Sequence, residues 1–384
     1  MPVKVAHLVT RLDLGGAQQN TLHTVRHLDR TLFEPLLICG RGGMLDDETA
    51  SDTAFRTVFV DSLHRDIAPF FDLLAFLELT KVLLAEKPAI LHTHSSKAGI
   101  LGRLAAALAG VPVVVHTYHG FGFHDRQPAF VKRLYVSLER LCARFTDALV
   151  FVSKANVAYA AEHGIVRPQD AILIRSGVKL SGLPAPVDAA KLKMSAGVGM
   201  HKLLVVSVGN LKPQKNAADF VEVAAKVVAS VPEARFVFLG DGPQRPALEA
   251  RAFALGLEGK VLFLGWRRDA AQWLAAADVF VMTSLWEGLP RALVEAMKSG
   301  LPAACYATDG VTDLIKDGEN GCMVEPGDHG ALAERVTALL KDEALRRRLG
   351  AAAAAAIGPE FDIDGMVREQ EGLYARLLAE RPAP

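Results

Sequence analysis

Short apolar runs alternate along the chain with longer stretches in which apolar residues recur every three or four positions. In the first half the runs are VKVAHLV (3–9), PLLIC (35–39), TVFV (57–60), AILHT (89–93), VVVHT (113–117), ALVFVS (148–153) and AILI (171–174). The stretch SGLPAPVDAAKLKMSAGVG (181–199), full of Pro, Gly and small residues, reads as a linker. A second series follows it: LLVVSVG (203–209), RFVFLG (235–240), KVLFLG (260–265), VFVMTS (279–284), PAACY (302–306) and GCMV (321–324). β-Branched residues crowd these runs without polar alternation, as in strands covered by helices on both faces. The alternation predicts βα units and parallel sheets. The fold class is therefore α/β, with two doubly wound, Rossmann-like domains over residues 1–185 and 186–360. A last amphipathic helix, FDIDGMVREQEGLYARLLAE (361–380), carries Met366, Leu373 and Leu377 with Tyr374 alongside. Segment 361–384 is expected to pack back on the N-terminal domain.

Composition narrows the function classes. At 384 residues and 51% hydrophobic, the chain exceeds what one typical core holds, which agrees with two domains. The 43 basic and 43 acidic residues balance, so no nucleic-acid partner is expected. Cys39, Cys142, Cys305 and Cys322 lie far apart, without a C-x-x-C pair, and read as buried thiols in a reducing compartment. The start, MPVKVAHLVTRLDLGG, lacks the apolar stretch of a signal peptide, and no run reaches spanning length. A cytoplasmic protein is expected, one still able to work on the inner face of the cell membrane.

Ligands of doubly wound sheets sit outside the carboxyl ends of the strands. The segments there are TRLDLGGAQQN, HSSKAG and YHGFGF in the first domain, and NLKPQKN, DGP, WRRD and LWEGLPRA in the second. Polar, charged and glycine-rich residues thus gather at one edge of each domain, which predicts a cleft between two facing sheets. Gly15 and Gly16 either let the chain turn into a helix or let backbone N–H groups approach a ligand. Gly240, Gly242 and Trp266 are candidates for a nucleotide base pocket, with core packing the other reading of Trp266.

In SLWEGLPRALVEAMKSGLP (284–302), Glu287 and Glu295 stand eight positions apart. Pro290 suits a first helical turn, the helix runs from about 290 to Lys298, and Gly300 stops it. The N–H groups of residues 288–292 (Gly288, Leu289, Pro290 for its fixed turn, Arg291) make an anion site there. Two carboxylates could be an acid/base pair, metal ligands, acceptors of sugar hydroxyls, or solvated surface residues. An anion flanked by hydroxyl-seeking carboxylates describes a nucleoside diphosphate sugar.

EGLPRALVEAMKSGLP resembles the E-x7-E motif of the retaining glycosyltransferases of family four, which adopt the GT-B fold. GGAQQN (15–20) is similar to that family's N-terminal glycine loop, SVGNLKPQKN (207–216) to its basic loop, and IRSGVKL (174–180) to the segment entering its linker. DGVTDLIKDGENGCMVEPGD (309–328) resembles the stretch after the motif. The resemblance implies transfer of a hexose from a UDP- or GDP-sugar to a hydroxyl acceptor with retention. It implies no metal and no cofactor beyond the nucleotide-sugar co-substrate. Glu287 would bond hydroxyls of the donor sugar, Glu295 the ribose, and Lys215 the diphosphate; His119 would lie nearest the reacting carbon. Asn210 stands where the family has Arg, and Lys212 or Arg291 would have to supply that charge. The alternative this departure opens is a nucleotide-sugar-binding protein of the same fold with little or no activity. Cell-surface polysaccharide or lipid-linked oligosaccharide assembly is the expected setting.

Ten of the twelve histidines fall before residue 185. His92, His94, His116, His119 and His124 cluster at two strand ends; they read as cleft residues, as metal ligands without an acidic or Cys partner, or, for His92 and His116, as buried rings satisfied by backbone. His94 and Lys97 are candidates for binding the acceptor. The segment QPAFVKRLYVSLERLCARF (127–145) has an apolar stripe of Phe130, Leu134, Leu138, Leu141 and Phe145, with Lys132, Arg133, Arg140 and Arg144 beside it. It reads either as a core helix or as one lying on anionic lipid. TRLDLGGAQQN does not fit the G-x-G-x-x-G of a dinucleotide oxidoreductase, which argues against that reading.

Overall fold

The computed structural model describes residues 1–124 and 127–381; Asp125, Arg126 and the last three residues lie outside it. The chain divides into two compact units, Met1–Gly177 with Ile363–Pro384, and Val178–Asp362.

The first unit is built on seven parallel strands: β1 (Val3–Arg11), β2 (Phe33–Gly40), β3 (Arg56–Phe59), β4 (Ile90–His94), β5 (Val113–Tyr118), β6 (Ala148–Phe151) and β7 (Ile172–Leu173). Their spatial order is β3-β2-β1-β4-β5-β6-β7. The second has β8 (Leu203–Val208), β9 (Ala234–Leu239), β10 (Val261–Phe263), β11 (Val279–Met282), β12 (Ala303–Tyr306) and β13 (Cys322–Val324), in the order β10-β9-β8-β11-β12-β13. Each apolar run of the sequence holds one of these thirteen strands. Both sheets are doubly wound: connections leave β1 and β8 toward one edge, and the chain returns at β4 and β11 to build the other.

Alternation along the strands assigns the two faces of the first sheet. Ala6, Leu8, Ile38, Leu91 and Val114 pack under the helices Pro69–Glu86 and Ser96–Ala109. Val5, Ile90, Val113, Val115 and Val150 pack under the helix Ile363–Ala379 through its Ile363, Met366, Val367, Leu373, Tyr374 and Leu377. Each of those apolar side chains stabilises the docked helix by roughly 1.5–3 kcal/mol relative to exposure. The helix therefore belongs to the first unit although it ends the chain.

Two sequence readings are corrected. Part of the supposed linker is folded: Ala189–Ser195 is a helix, capped by the Asp188 carboxylate accepting from the Lys191 N–H at 3.0 Å. Its Lys193 is buried and donates to the Lys202 carbonyl at 3.0 Å. The Ala, Lys, Leu and Met of that stretch are good helix formers, which the surrounding Gly and Pro obscured. The second unit begins at Val178, eight residues before the boundary read from sequence, because the Val178 N–H donates to the Phe361 carbonyl at 2.8 Å.

The second correction concerns the helix Ala129–Ala143. Its apolar stripe faces out: Phe130 is 73% exposed and Leu134 58%, with Leu141 and Phe145 also exposed. The inward face carries Val136, Glu139 and Cys142 instead. Glu139 is buried because Arg103 donates to it at 2.5 Å and the Tyr118 hydroxyl at 2.8 Å, while Arg103 Nε donates to the Gly99 carbonyl at 2.8 Å. A buried ion pair held by these bonds favours the turn of the helix that keeps Glu139 inside.

Candidate functional site

In the second unit the sheet reverses direction between β8 and β11, the place where open α/β sheets bind ligands. The loops leaving these two strands are laced together. The Thr283 hydroxyl donates to the carbonyls of Lys215 and Asn216, both at 3.0 Å. The Leu285 N–H donates to the Gln214 carbonyl at 2.8 Å, and the Gln214 amide donates to the Trp286 carbonyl at 2.9 Å. This lacing carries the Lys215 ammonium onto Glu287 Oε1 as an ion pair, with Glu287 only 7% exposed. The Glu287 N–H donates to Asp309 Oδ2 at 3.3 Å. Asn216 adopts a left-handed φ of 46° at the start of its helix, and its amide donates to Asp219, which also accepts from the Tyr306 hydroxyl at 2.6 Å. A non-glycine residue in that region is uncommon and clusters at functional loops.

Two glycines let neighbouring loops close on the same edge. A Cβ on Gly310 would lie 1.9 Å from the Gly288 carbonyl oxygen, and one on Gly240, whose φ is 141°, 1.7 Å from that of Gly209. Gly242 packs likewise on the Leu211 carbonyl. Gly240 and Gly242 thus have a packing reason to be glycine, whatever else they line.

The helix Arg291–Lys298 begins directly after buried Gly288, Leu289 and Pro290, and Gly300, at φ 74°, follows its end. Arg291 and Glu295 lie one turn apart on it, both half-buried. Burial raises the Glu295 carboxyl above its usual range, partly offset by the Arg291 guanidinium, and burial lowers the Arg291 guanidinium. Three oxygens near the same edge have no hydrogen-bond partner among the described residues: Asn210 Oδ1 after β8, Ser284 Oγ after β11 and Thr308 Oγ1 after β12. Ser284 and Thr308 are buried, and a buried hydroxyl of this kind is ordinarily satisfied by water or a ligand. Lys212 precedes the short 3-10 turn Pro213–Lys215. Trp266, past β10, is 40% exposed and is not a core residue.

In the first unit the corresponding reversal lies between β1 and β4. Gly15 caps the helix Gly16–His27 in extended geometry, and neither glycine has a positive φ. Thr10 Oγ1 lies 2.9 Å from Ser95 Oγ and accepts from the Ala98 N–H at 3.2 Å. Ser95 is itself held at a φ of 63°. Lys97 is committed to the Asp72 carboxylate and the Asp66 carbonyl.

The histidines converge because of register. His7 pairs with His92 across β1 and β4, and period two puts His94 on the same face. His7 Nδ1 lies 3.1 Å from His94 Nε2, and His94 Nδ1 lies 3.1 Å from His119 Nε2. His92 Nδ1 meets the Tyr374 hydroxyl at 2.6 Å and its Nε2 meets Thr117 Oγ1 at 2.7 Å. His116 Nδ1 meets Thr93 Oγ1 at 2.8 Å. His92 and His116 are therefore buried, His92 with side-chain hydroxyls on both ring nitrogens, and His94, at 2% exposure, is part of this core. One ligand nitrogen from each of His7, His92 and His94 falls within 4.8 Å of the others, and no carboxylate or thiol joins them among the described residues.

His7, Asp309, Ser284 and Thr308 were not read as site residues from the sequence, and Tyr374 was read only as part of the apolar face of its helix. Asp309 and Gly310 follow β12 as a DG pair, a signal of the same kind as those used elsewhere.

Two family models match the chain. "Glycosyl transferase 4-like domain" covers residues 15–177 and "Glycosyl transferases group 1" residues 190–356. A UDP-Gal:alpha-D-GlcNAc-diphosphoundecaprenol alpha-1,3-galactosyltransferase of Escherichia coli is 35% identical over 347 residues, 89% of each chain. The chain belongs to the GT4-type glycosyltransferases. The lipopolysaccharide core biosynthesis glycosyltransferase LpsE of Rhizobium meliloti is 29% identical to this glycosyltransferase over 99% of the chain and 100% of its own. Anabaena HepE, solved in complex with UDP and glucose, superposes with a TM-score of 0.82 at 21% identity, covering 97% of this chain and 100% of its own. Its likeness bears on the fold, two Rossmann-like halves of the GT-B class.

The buried imidazoles give the glycosyltransferase an acid-labile first unit. Burial pushes the His7 pKa down to about 3 from 6.5, and lowers His92, His94 and His116 in the same direction. As pH falls below 6.5 the unfolded chain takes up protons that the folded one refuses, so stability declines by up to about 1.4 kcal/mol per pH unit for each such ring. Urea unfolding should show a lower midpoint for the first unit at pH 5.0 than at pH 7.5. Equal midpoints would contradict the neutral, buried assignment.

Proposed function

We propose that this glycosyltransferase moves a hexose from a UDP-sugar to a hydroxyl of a lipid-linked acceptor, with retention of anomeric configuration and without a metal. Cell-surface polysaccharide or lipid-linked oligosaccharide assembly is the setting, at the cytoplasmic face of the membrane. The observation that carries the reading is the Lys215–Glu287 pair at the β8/β11 reversal. The UDP donor and lipid-linked acceptor are supported by the Escherichia coli relative, named for UDP-Gal and a diphosphoundecaprenol acceptor.

In this reading Glu287 accepts hydroxyls of the donor sugar with the lone pairs that Lys215 leaves unused, and Glu295 accepts those of the ribose. The bond from the anomeric carbon to the diphosphate breaks while a bond to the acceptor oxygen forms on the same face. The acceptor proton passes to a diphosphate oxygen. Lys215, Arg291 and the N–H groups opening the helix Arg291–Lys298 face the charge that grows on the leaving group, which is where preorganised donors act most strongly. These cations do the work a metal would otherwise do. Asn210 supplies no charge, and its unpartnered Oδ1 suits a hydrogen-bonding role. Gly15 and Gly16 fit close approach of N–H groups to a ligand, because neither φ demands glycine. His119 positions the sugar by hydrogen bonding.

Replacing Glu287 by Ala should lower transfer from UDP-hexose at least 100-fold, as loss of such electrostatic contacts does, with circular dichroism unchanged. Full activity in that variant would remove the assignment. Donor choice is read by thermal stabilisation with a panel of UDP- and GDP-sugars, where a bound donor raises the transition.

Membrane contact rests on the outer face of the first unit. No helix among the described residues is long and apolar enough to cross a membrane. The helix Pro69–Glu86 leaves Phe70, Leu73, Leu77 and Leu84 more than half exposed, with Glu78 and Lys81 exposed among them. The helix Ser96–Ala109 touches both it and Ala129–Ala143, whose exposed Phe130 and Leu134 stand near exposed Arg133 and Arg140. Exposed apolar side chains with basic ones on the same helices suit an anionic lipid surface. The chain should cosediment with vesicles containing anionic lipid. Changing Phe70 and Leu77 to Glu should weaken that binding about tenfold or more, and unchanged binding would rule this surface out.

A further inference from the structure

One line of hydrogen bonds in the first unit ends on His119. Thr117 Oγ1, His92, the Tyr374 hydroxyl, His7, His94 and His119 follow one another at 2.7, 2.6, 3.4, 3.1 and 3.1 Å. We propose that Tyr374, carried by the C-terminal helix, is a positioning residue that fixes which ring nitrogen of His119 bears the proton. The link to transfer rests on the role given to His119 above; the relay itself does not.

The direction of the relay follows from proton counting. His7 and His92 are fully buried and His94 is 2% exposed, so these rings are neutral, each with one N–H donor and one bare acceptor nitrogen. Fixing the proton on one ring then fixes it on the next. Tyr374 has a single proton to give. Its 2.6 Å contact with His92 Nδ1 is shorter than N–H donors ordinarily reach and falls in the range of O–H donors, whereas its contacts with His7 Nε2 and with Gln370 Oε1 are 3.4 and 3.5 Å. Tyr374 therefore donates to His92, and His92 Nε2–H donates to Thr117.

With its proton spent, the Tyr374 oxygen accepts from His7 Nε2–H. His7 Nδ1 is then bare and accepts from His94 Nε2–H, and His94 Nδ1 accepts from His119 Nε2–H. His119 is left protonated on Nε2, with Nδ1 an acceptor. Reversing the line would make His119 Nδ1 a donor. Both nitrogens of His92 and both of His7 are engaged in this line, so the three clustered rings act as a relay and not as a metal cage.

Two variants separate the relay from simple packing. Tyr374→Phe keeps the ring and removes the proton that sets the direction. Thr117→Val removes the acceptor at the far end, which favours His92 donating to Tyr374 and reverses every bond up to His119. The readout is the two-bond 1H–15N ring correlation of the full chain labelled with 15N-histidine, with the His119 signals identified by their loss in His119→Gln. The unaltered chain should give the Nε2–H pattern at His119. Tyr374→Phe should shift it toward a mixture, Thr117→Val toward Nδ1–H, and Leu373→Ala, a packing change on the same helix, should leave it unmoved. An Nδ1–H pattern in the unaltered chain, or an unmoved pattern in whichever of the two relay variants folds, overturns the proposal. No turnover enters this measurement, so its failure leaves the Glu287 assignment standing, and the reverse also holds.

Discussion

Glu287 is 7% exposed, and a carboxylate taken that far out of water costs several kcal/mol unless a counter-charge is held against it. Lys215 supplies the charge, and much of the second unit can be understood as what keeps it there. Thr283, Leu285 and Gln214 tie the loop after β8 to the loop after β11. The strained Asn216 and the missing side chains of Gly240 and Gly310 let those loops and their neighbours approach. A parallel sheet makes the arrangement possible, because every loop that follows a strand emerges at the same edge, and the reversal between β8 and β11 leaves room there.

The first unit answers the same constraint with neutral groups. Its reversal, between β1 and β4, is lined by a strained serine, a glycine-capped helix and a column of imidazoles, while the deeply buried Arg103–Glu139 ion pair holds a helix in orientation. Burial keeps the imidazoles uncharged, so they can transmit hydrogen-bond direction without a desolvated charge. The C-terminal helix matters here twice: its apolar face completes the core, and Tyr374 enters the column. The two doubly wound halves thus carry different chemistry at the edge where their sheets reverse, a lysine–carboxylate pair in one and imidazoles in the other.

The strands were legible because apolar runs of β-branched residues have few other uses in a chain of this composition. The helix start at Pro290 and its stop at Gly300 were legible for local reasons as well: a fixed φ at one end and a left-handed turn at the other. Glu287 stood out by its spacing from Glu295, but its pairing with Lys215 was not legible, since nothing local says that residues 72 apart become an ion pair. His7 looked like one polar letter in an apolar strand, and its importance depends on the β1–β4 register, which no local pattern encodes. Tyr374 acts on a ring 282 positions away. The outward stripe of Ala129–Ala143 was misread in the core reading because amphipathicity shows that a helix has two faces, while a buried Glu139–Arg103 pair favours the turn that keeps Glu139 inside. Long-range partners, more than local propensity, account for what the sequence withheld.

The central claim is that the Lys215 ammonium, poised by Glu287, is the site's grip on the diphosphate. Calorimetric titration of UDP and of uridine into the unaltered chain and into Lys215→Met tests it most directly. UDP affinity should fall about tenfold or more in the variant, the worth of a charge-assisted hydrogen bond, while uridine binds both alike. Equal UDP affinity in the two chains would contradict the account.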